Sequence, residues 1–180
     1  GDRDLFDLHH KAMQAMGDRI FHMGPLGSSC IIKVITNMLA FIHLKATSEA
    51  LMLAKRGGLD LGQAWHAIAA SSGNSFVHET ESQVILNGSR DINFTMDLVS
   101  KDVGLFDKIA HAAHVPVELS PLIVKIFKEG EDAYGPREFS PNIIRRYEEP
   151  LGIKVLGTGF PADMVDDEPE EPGYDVVPKR

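Results

Sequence analysis

The chain has 180 residues, of which 43% are hydrophobic and 24% charged, with 18 basic and 26 acidic residues and a formal net charge of -8. This length suits one compact domain and leaves little room for two. The acidic balance argues against nucleic acid as a partner, because binding to phosphates normally requires a basic surface. Seven of the acids but only two of the bases lie in residues 155–180, so the rest of the chain is only mildly acidic.

Cysteine content and hydropathy predict a cytoplasmic protein. Cys30 is the single cysteine, so no intrachain disulfide can form, which suits a reducing compartment. The most apolar stretch, residues 30–44, is interrupted by Lys33, Asn37 and His43, and we expect neither a signal peptide nor a membrane as partner. The chain begins with glycine rather than methionine and runs directly into a helical pattern, which indicates a part of a longer protein.

The first predicted elements are a helix, a strand and one long helix. Apolar residues recur at helical spacing over residues 4–16, and Arg19–Met23 is typical of a short strand. After the Gly-Pro-Leu-Gly break at residues 24–27, residues 28–56 contain neither proline nor glycine and are followed by a Gly-Gly pair. This pattern predicts a helix about 43 Å long at 1.5 Å per residue.

The rest of the chain also favours helices. They are predicted over residues 60–70 after an Asp60 cap, 75–86, 95–115 after a Thr95 cap, 121–134 after a Ser120 cap and 141–149 after a Ser140 cap. Residues 163–172 are too acidic and too rich in proline to bury much surface, so we expect a mobile or loosely docked tail. The pattern as a whole predicts an all-α fold with one leftover strand that lacks a sheet.

The polar face of the long helix has an unusual composition. Around Lys33 it carries Ser, Thr, Asn and Ala, where a solvent-exposed face would usually carry Glu, Lys and Arg. One interpretation is a solvated face along which Lys33 reaches water. The other is a cleft in which Leu26 and Ile32 partly desolvate the lysine, because a desolvated lysine suits general acid or base catalysis. Asn37, one turn further on, would then hold a substrate hydroxyl or carboxylate.

Two blocks of the sequence resemble a known family. Residues 24–38 (GPLGSSCIIKVITNM) contain the pattern G-x-x-G-x-x-x-x-x-K-x-x-x-N, and residues 94–105 (FTMDLVSKDVGL) contain F-x-x-x-L-x-x-K-D-x-x-L. Both blocks resemble the β-hydroxyacid dehydrogenases, which include 3-hydroxyisobutyrate dehydrogenase, tartronate semialdehyde reductase and, more distantly, 6-phosphogluconate dehydrogenase. The resemblance extends over about residues 4–147.

The resemblance implies an all-α fold, a helical bundle around one long helix like the C-terminal domain of 6-phosphogluconate dehydrogenase. Residues 1–24 would be the last helix and strand of a truncated Rossmann domain. Residues 25–150 would be the helical C-terminal substrate and dimerisation domain, and residues 151–180 an acidic tail. Because the sequence contains no G-x-G-x-x-G motif, the main site for NAD or NADP is expected in a missing N-terminal domain.

The activity implied by the resemblance is hydride transfer between a nicotinamide and a small β-hydroxyacid or its semialdehyde. Lys33 would be the catalytic general acid and base, while Asn37 and Phe94 would bind the carboxylate substrate. Gly27 and Lys101 would lie beside the cofactor. The family also implies a homodimer or homotetramer, and the chain by itself is expected to be inactive.

Simpler interpretations stay open for several of these features. Asp97 precedes Lys101 by four positions, which is the spacing of a surface ion pair. His111 and His114 could face a metal, but no third ligand stands at a suitable spacing, so we expect no metal site. A non-catalytic helical dimerisation or interaction module would also explain the long apolar helix. An imine reductase has a similar fold, although the presence of Lys33 argues against it, and the choice between NAD and NADP stays open.

Overall fold

The computed structural model describes residues 1–163 and 171–177, and 62% of these residues are helical. The described chain divides into two compact units. The smaller unit consists of residues 1–33 and 171–177, and the larger unit of residues 34–163. Most of the segment that the sequence predicts to be mobile, residues 164–170, lies outside the described residues.

The helices follow one another in the predicted order. Within the described residues they are α1 (Arg3–Gln14), α2 (Ser28–Arg56), α3 (Leu61–Ala69), α4 (Phe76–Glu79), α5 (Glu81–Leu86), α6 (Met96–Ala112), α7 (Leu119–Tyr134), a 3₁₀ helix (Ser140–Ile144) and α8 (Arg145–Leu151). The long helix α2 is confirmed at both ends. By length and composition α2 would also suit a membrane span, a property that it shares with core helices of soluble proteins.

Glycines define the start of α2. Gly24 and Gly27 have φ angles of 110° and 97°, which side chains with a Cβ rarely adopt. The carbonyl of Gly27 accepts hydrogen bonds from the amides of Cys30 and Ile31 at 3.0 and 3.1 Å. The Gly-Pro-Leu-Gly segment therefore begins the helix because its backbone takes conformations that other residues avoid.

Three helix starts differ from the prediction. The helix predicted over residues 75–86 is divided at Thr80, whose φ and ψ are -107° and -72° and whose hydroxyl donates to the carbonyl one turn earlier at 2.8 Å. Ser120 does not cap α7, because that helix already begins at Leu119. The hydroxyls of Ser120 and Ser140 are instead buried without a hydrogen-bond partner among the described residues.

Apolar side chains from most of the helices form the core of the larger unit. The fully buried ones include Leu44, Leu51, Ile85, Leu86, Met96, Val99, Val103, Phe127, Ile143, Ile144 and Val155. The ring of Phe41, on α2, lies with its centroid 5.2 Å from that of Phe94 and 5.8 Å from that of Phe127. These aromatic contacts join α2 to α7 and to the segment that leads into α6.

A buried ion pair joins the segment before α6 to α8. An Nη atom of Arg90 lies 2.9 Å from Oε1 of Glu148, and the two side chains are 9% and 1% exposed. Glu148 also accepts the amide of Val155 at 2.8 Å, and Arg90 donates to the carbonyl of Ile85 at 2.9 Å. The carboxylate of Glu148 therefore binds both the guanidinium of Arg90 and the amide of Val155. Through these contacts it holds the chain that follows α8 against the core.

The smaller unit contains a parallel sheet of two strands, β1 (Arg19–Ile20) and β2 (Tyr174–Asp175). The all-α prediction is therefore wrong, and so is the prediction of a strand without a sheet. A strand needs partners for its backbone amides and carbonyls, and β1 finds them near the end of the chain. Alternation over a few residues cannot reveal a partner so distant in sequence.

Candidate functional site

Two of the residues that the sequence analysis singles out, Gly27 and Lys33, belong to the smaller unit. The side chain of Lys33 is exposed in the described chain. Leu26 is 97% exposed, so it does not cover the lysine as the cleft interpretation supposed. Lys33 is therefore accessible to a substrate, and any exclusion of water around it must come from the bound substrate or from another surface.

The backbone at Gly27 is open to an approaching molecule. A Cβ placed on this residue would meet no atom within 4 Å in the described chain, and the positive φ angle favours glycine there. The absence of a side chain leaves room for a planar ring to approach the start of α2. The opening is compatible with the predicted place of Gly27 beside a cofactor, and that role stays a prediction.

In the larger unit a hydrogen bond joins α2 to α6. Nδ2 of Asn37 donates to Oδ2 of Asp102 at 2.6 Å, and Asn37 is only 9% exposed. Since a carboxylate only accepts hydrogen bonds, the contact determines which end of the Asn37 amide faces Asp102. The orientation of the carbonyl oxygen Oδ1 is determined with it. The bond links the two sequence blocks that carry the family resemblance.

Lys101 belongs to the same group of residues. Its Nζ lies 3.0 Å from Oδ1 of Asp102, and its side chain is 59% exposed. The surface pair with Asp97 does not form, because Asp97 contacts Arg137 at 3.2 Å and accepts a hydrogen bond from Thr95. The Thr95 hydroxyl and then Arg137 hold the pKa of Asp97 below its ordinary value. The ammonium of Lys101 is thus directed to the Asn37 and Asp102 pair.

Phe94 is half-buried beside α2. Its ring packs 5.2 Å from that of Phe41, and its carbonyl accepts the amide of Ser140 at 2.8 Å. Because Phe41 follows Asn37 by one helical turn, Phe94 lies on the same side of α2 as Asn37. The larger unit therefore brings Asn37, Phe94 and Lys101 to one region.

The sequence interpretation missed Asp102. It was visible only as the residue that follows Lys101 in the second block, and nothing in its spacing relates it to Asn37. The structure makes Asp102 the common partner of Asn37 and Lys101. Its carboxylate can therefore hold the Asn37 amide in place and keep the Lys101 ammonium nearby.

A different lysine of α2 is the desolvated one. The side chain of Lys45 is 8% exposed and lies 3.3 Å from Glu49, and its ammonium stands 4.0 Å from the ring centroid of Tyr147. Burial lowers the pKa of Lys45, and the nearby Glu49 partly opposes this shift. Tyr147 donates to Glu49 at 2.7 Å. These contacts fasten α2 to α8, so we interpret Lys45 as structural.

Metal-binding side chains do not cluster in the part of the chain that the structure describes. Among these residues, no group of three or more His, Cys, Asp or Glu could hold a metal ion. His111 and His114 are both exposed at the end of α6. The histidine pair therefore gives no support to a metal centre.

A mainly helical fold with an opening at Gly27 and a polar group around Asn37 is compatible with the dinucleotide-dependent oxidoreductases as a class. Residues 27–147 match a family model described as NAD-binding of NADP-dependent 3-hydroxyisobutyrate dehydrogenase. The chain belongs to this family, whose members bind NAD or NADP. The resemblance to the β-hydroxyacid dehydrogenases is thereby confirmed.

Curated relatives are dehydrogenases of small molecules. The chain is 28% identical over 154 residues to 2-(hydroxymethyl)glutarate dehydrogenase of Eubacterium barkeri, covering 85% of this chain and 51% of that protein. It is 31% identical over 136 residues to mitochondrial 3-hydroxyisobutyrate dehydrogenase of Drosophila melanogaster, covering 71% and 42%. It is 30% identical over 151 residues to NAD-dependent L-serine dehydrogenase of Pseudomonas aeruginosa, covering 78% and 50%. The chain spans about half the length of these relatives.

Solved structures share the fold. 3-Hydroxyisobutyrate dehydrogenase from Salmonella typhimurium superposes with a TM-score of 0.74 at 24% identity, covering 82% of this chain and 52% of that one. The Mycobacterium tuberculosis 3-hydroxyisobutyrate dehydrogenase, in a structure with L-serine, gives a TM-score of 0.71 at 23% identity, covering 81% and 52%. At these identities the likeness concerns the fold alone.

The family match corrects the predicted fold class a second time. The family resemblance implied an all-α fold like the C-terminal domain of 6-phosphogluconate dehydrogenase. The matching model instead describes residues 27–147 as NAD-binding. Helical periodicity reports which side chains are buried, and it carries no information on what a domain binds.

Proposed function

We propose that this chain supplies the general acid and base of an NAD(P)-dependent oxidoreductase that interconverts a small β-hydroxyacid and its semialdehyde. The observation that carries the proposal is the 2.6 Å hydrogen bond between Asn37 and Asp102. It joins the two sequence blocks and orients a polar side chain one helical turn after Lys33. The relatives' names, which refer to dehydrogenases of hydroxyacids or serine, support the substrate class.

The residues of this chain would handle the proton and the substrate. A bound nicotinamide supplies or accepts the hydride. Lys33 donates a proton to the carbonyl oxygen as it becomes a hydroxyl, and it removes that proton in the oxidative direction. Asn37, held by Asp102, accepts a hydrogen bond from the substrate hydroxyl through Oδ1. Lys101 attracts the substrate carboxylate or the cofactor.

Phe94 and Gly27 complete the proposed arrangement. Phe94 provides an apolar wall, because its ring is already anchored on Phe41. Gly27 leaves room for the nicotinamide ring. Since the sequence contains no G-x-G-x-x-G motif, we infer that further residues supply most of the cofactor site. Residues 1–180 alone are then expected to show no turnover with NADH or NADPH.

The decisive test replaces Lys33 in a protein that joins this chain to a complete dinucleotide-binding domain. Lys33→Ala is expected to lower kcat by about 10²- to 10⁴-fold, the usual contribution of a general acid or base. The Kd for NADH, measured by fluorescence titration, should hardly change. Lys55→Ala is the matched control, because Lys55 is also exposed on α2. A Lys33→Ala enzyme that keeps most of its kcat would remove Lys33 from the mechanism.

We further propose a cytoplasmic homodimer or homotetramer. Large apolar side chains are exposed on α6 and α7, among them Leu105, Ile109, Leu119 and Leu122, and such surfaces often mark interfaces. The free thiol of Cys30 suits a reducing compartment. A non-catalytic dimerisation module is the second candidate, favoured by the same apolar surface. The kcat of the Lys33→Ala enzyme distinguishes it from the oxidoreductase, because a dimerisation module has no turnover to lose.

A further inference from the structure

After α8 the chain returns to the end of α5 as an irregular strap, which we define as residues 156–162. The amide of Gly157 donates to the carbonyl of Leu86 at 3.0 Å. The ring centroid of Phe160 lies 5.7 Å from that of Trp65 on α3. One backbone hydrogen bond and one aromatic contact thus hold the strap against two helices of the larger unit.

Asn87 fastens the far end of the strap. Its Nδ2 donates to the carbonyls of Pro161 and Ala162 at 2.7 and 3.3 Å, while its Oδ1 accepts the amide of Ser89 at 2.8 Å. In the described part of the chain, no other side chain forms a hydrogen bond with residues 156–162. The amide group of Asn87 therefore holds this end of the strap, because only its nitrogen can donate to two carbonyls.

The fold requires glycine directly after Asn87. Asn87 ends α5 with φ and ψ of -78° and -14°, and Gly88 then takes a φ of 85°, the left-handed conformation that often closes a helix. A Cβ on Gly88 would also meet Cδ2 of Leu156 at 3.0 Å. The single Asn-Gly pair of the sequence therefore lies at the point where the strap is held.

An asparagine that precedes glycine is chemically labile, because no side chain shields the next backbone nitrogen. When this nitrogen attacks Cγ of the asparagine, an N–Cγ bond forms and the Cγ–Nδ2 bond breaks. The proton of the attacking amide leaves with Nδ2 as ammonia. Water then opens the cyclic imide at either carbonyl and gives aspartate or isoaspartate. Water can reach the pair, since Asn87 and Gly88 both line an open cavity of about 540 Å³.

We propose that Asn87 is a modification site, at which deamidation releases the strap. Both products carry a carboxylate that faces the carbonyl oxygens of Pro161 and Ala162, and a carboxylate has no hydrogen to donate. Because ammonia is lost, the release is one-way. The hydrogen bonds to the strap and the helical ψ keep Cγ of Asn87 away from the Gly88 nitrogen, so the strap must open before the attack. This site does not depend on the proposed oxidoreductase function.

Mass spectrometry of the full chain, incubated at mildly alkaline pH in heavy-oxygen water, follows the reaction. Asn87 is expected to react at least about 10-fold more slowly than in a free peptide of residues 84–91, because the strap opens only part of the time. Phe160→Ala removes the ring contact with Trp65 and should bring the rate close to that of the peptide. Phe76→Ala is the matched control, since Phe76 is 79% exposed, and it should leave the rate unchanged.

Hydrogen exchange tests the release itself. Asn87→Asp reproduces one of the two products, and it should speed exchange of the Gly157 amide about 10-fold relative to the wild-type chain. It should also speed cleavage by chymotrypsin after Phe160. Asn74→Asp is the matched control for the added charge, because Asn74 is exposed and contacts Glu79 rather than the strap. It should change neither rate.

Three results would overturn the proposal. The first is a reaction in the wild-type chain at the rate of the free peptide, and the second is a Phe160→Ala rate equal to that of the wild type. The third is equal exchange of the Gly157 amide in the wild type and Asn87→Asp. Asn142 precedes the bulky Ile143 and should not react, so it serves as an internal control. If Phe160→Ala disturbs the fold in circular dichroism, Phe160→Leu replaces it, since leucine keeps an apolar side chain there.

Discussion

The two units of the molecule are stabilised in different ways. The larger unit buries a continuous set of apolar side chains together with the Arg90 and Glu148 pair. In the smaller unit, Phe6 and Ile20 are the only buried hydrophobic residues among those described. Its contacts are mainly the β1 and β2 ladder, the Gln14 and Gly173 bonds and partly exposed ion pairs.

This difference indicates that the larger unit is the more stable of the two. Hydrophobic burial contributes roughly 25 cal/mol per Å² of apolar surface, whereas a backbone hydrogen bond contributes about 1 kcal/mol net. The larger unit should therefore unfold cooperatively, while the smaller one opens locally at a lower cost.

The largest expected effect tests the interior of the larger unit. Glu148→Ala would leave the guanidinium of Arg90 buried without its carboxylate and should lower the free energy of unfolding by about 3–5 kcal/mol. Urea unfolding followed by circular dichroism measures this loss. Asp7→Ala is the comparison in the smaller unit, because the Arg3 and Asp7 side chains are about half exposed, at 52% and 54%. It should change the unfolding curve by no more than the experimental error.

Point substitutions lower the free energy of unfolding by about 1 kcal/mol on average. If Glu148→Ala lowers it by less than that, this view of the ion pair is contradicted. Such a small loss would mean that water replaces the carboxylate. The contrast between a desolvated interior in the larger unit and a solvated smaller unit would then be much weaker than described.

A pH-dependent effect of intermediate size comes from Glu81. Burial raises its pKa to about 7, and its Oε2 has no hydrogen-bond partner among the described residues. Between pH 4.5 and 7 the folded chain keeps a proton that the unfolded chain has lost, so stability falls as the pH rises through this window. The loss should reach about 3 kcal/mol, from 1.36 kcal/mol per unit of pKa difference.

Glu81→Gln should remove this part of the pH dependence and make the protein more stable than wild type at pH 8. Glu79→Gln is the matched control, because Glu79 is exposed two residues earlier and should leave the slope unchanged. Thermal unfolding between pH 4 and 8 measures both. If the melting temperatures of wild type and Glu81→Gln change in parallel with pH, the Glu81 carboxyl is hydrated in the folded state. This part of the larger unit is then not dry.

The smallest effect compares two helix caps of the same chemistry. Asp60 accepts the amide of Gln63 at 2.8 Å in the larger unit, and Asp2 accepts that of Leu5 at 3.0 Å in the smaller one. Asp60→Ala should lower the global free energy of unfolding by about 1 kcal/mol. Asp2→Ala should leave the global transition in place and speed hydrogen exchange only within α1. Equal shifts of the global transition would show that the two units unfold together.

Local chemistry explains which features the sequence could predict. The limits of α2 follow from the glycines on either side of it, and the Asp60 cap depends on a residue three positions away. The spacing of Lys33 and Asn37 is a property of one helix. These features involve neighbours in the chain, so their signals are present in a short window of residues.

Other features depend on contacts between distant residues. The break at Thr80 and the unused caps at Ser120 and Ser140 reflect tertiary packing, which overrides local propensity. The contact of Asn37 with Asp102 joins residues 65 positions apart. It arises only when α2 packs beside α6, and no periodic pattern encodes it.

The sequence by itself determined the helical segments, the long α2, the family and its nicotinamide cofactor. The helical segments rest on residue spacing within single elements, which the backbone geometry dictates, whereas the family and its cofactor rest on the resemblance of two sequence blocks to known dehydrogenases. Only the tertiary structure decided that Lys45 rather than Lys33 is the desolvated lysine of α2, that Asp102 holds Asn37, and that β1 has a partner. Burial and pairing depend on which surfaces meet, and the free energy of those contacts belongs to the folded chain as a whole.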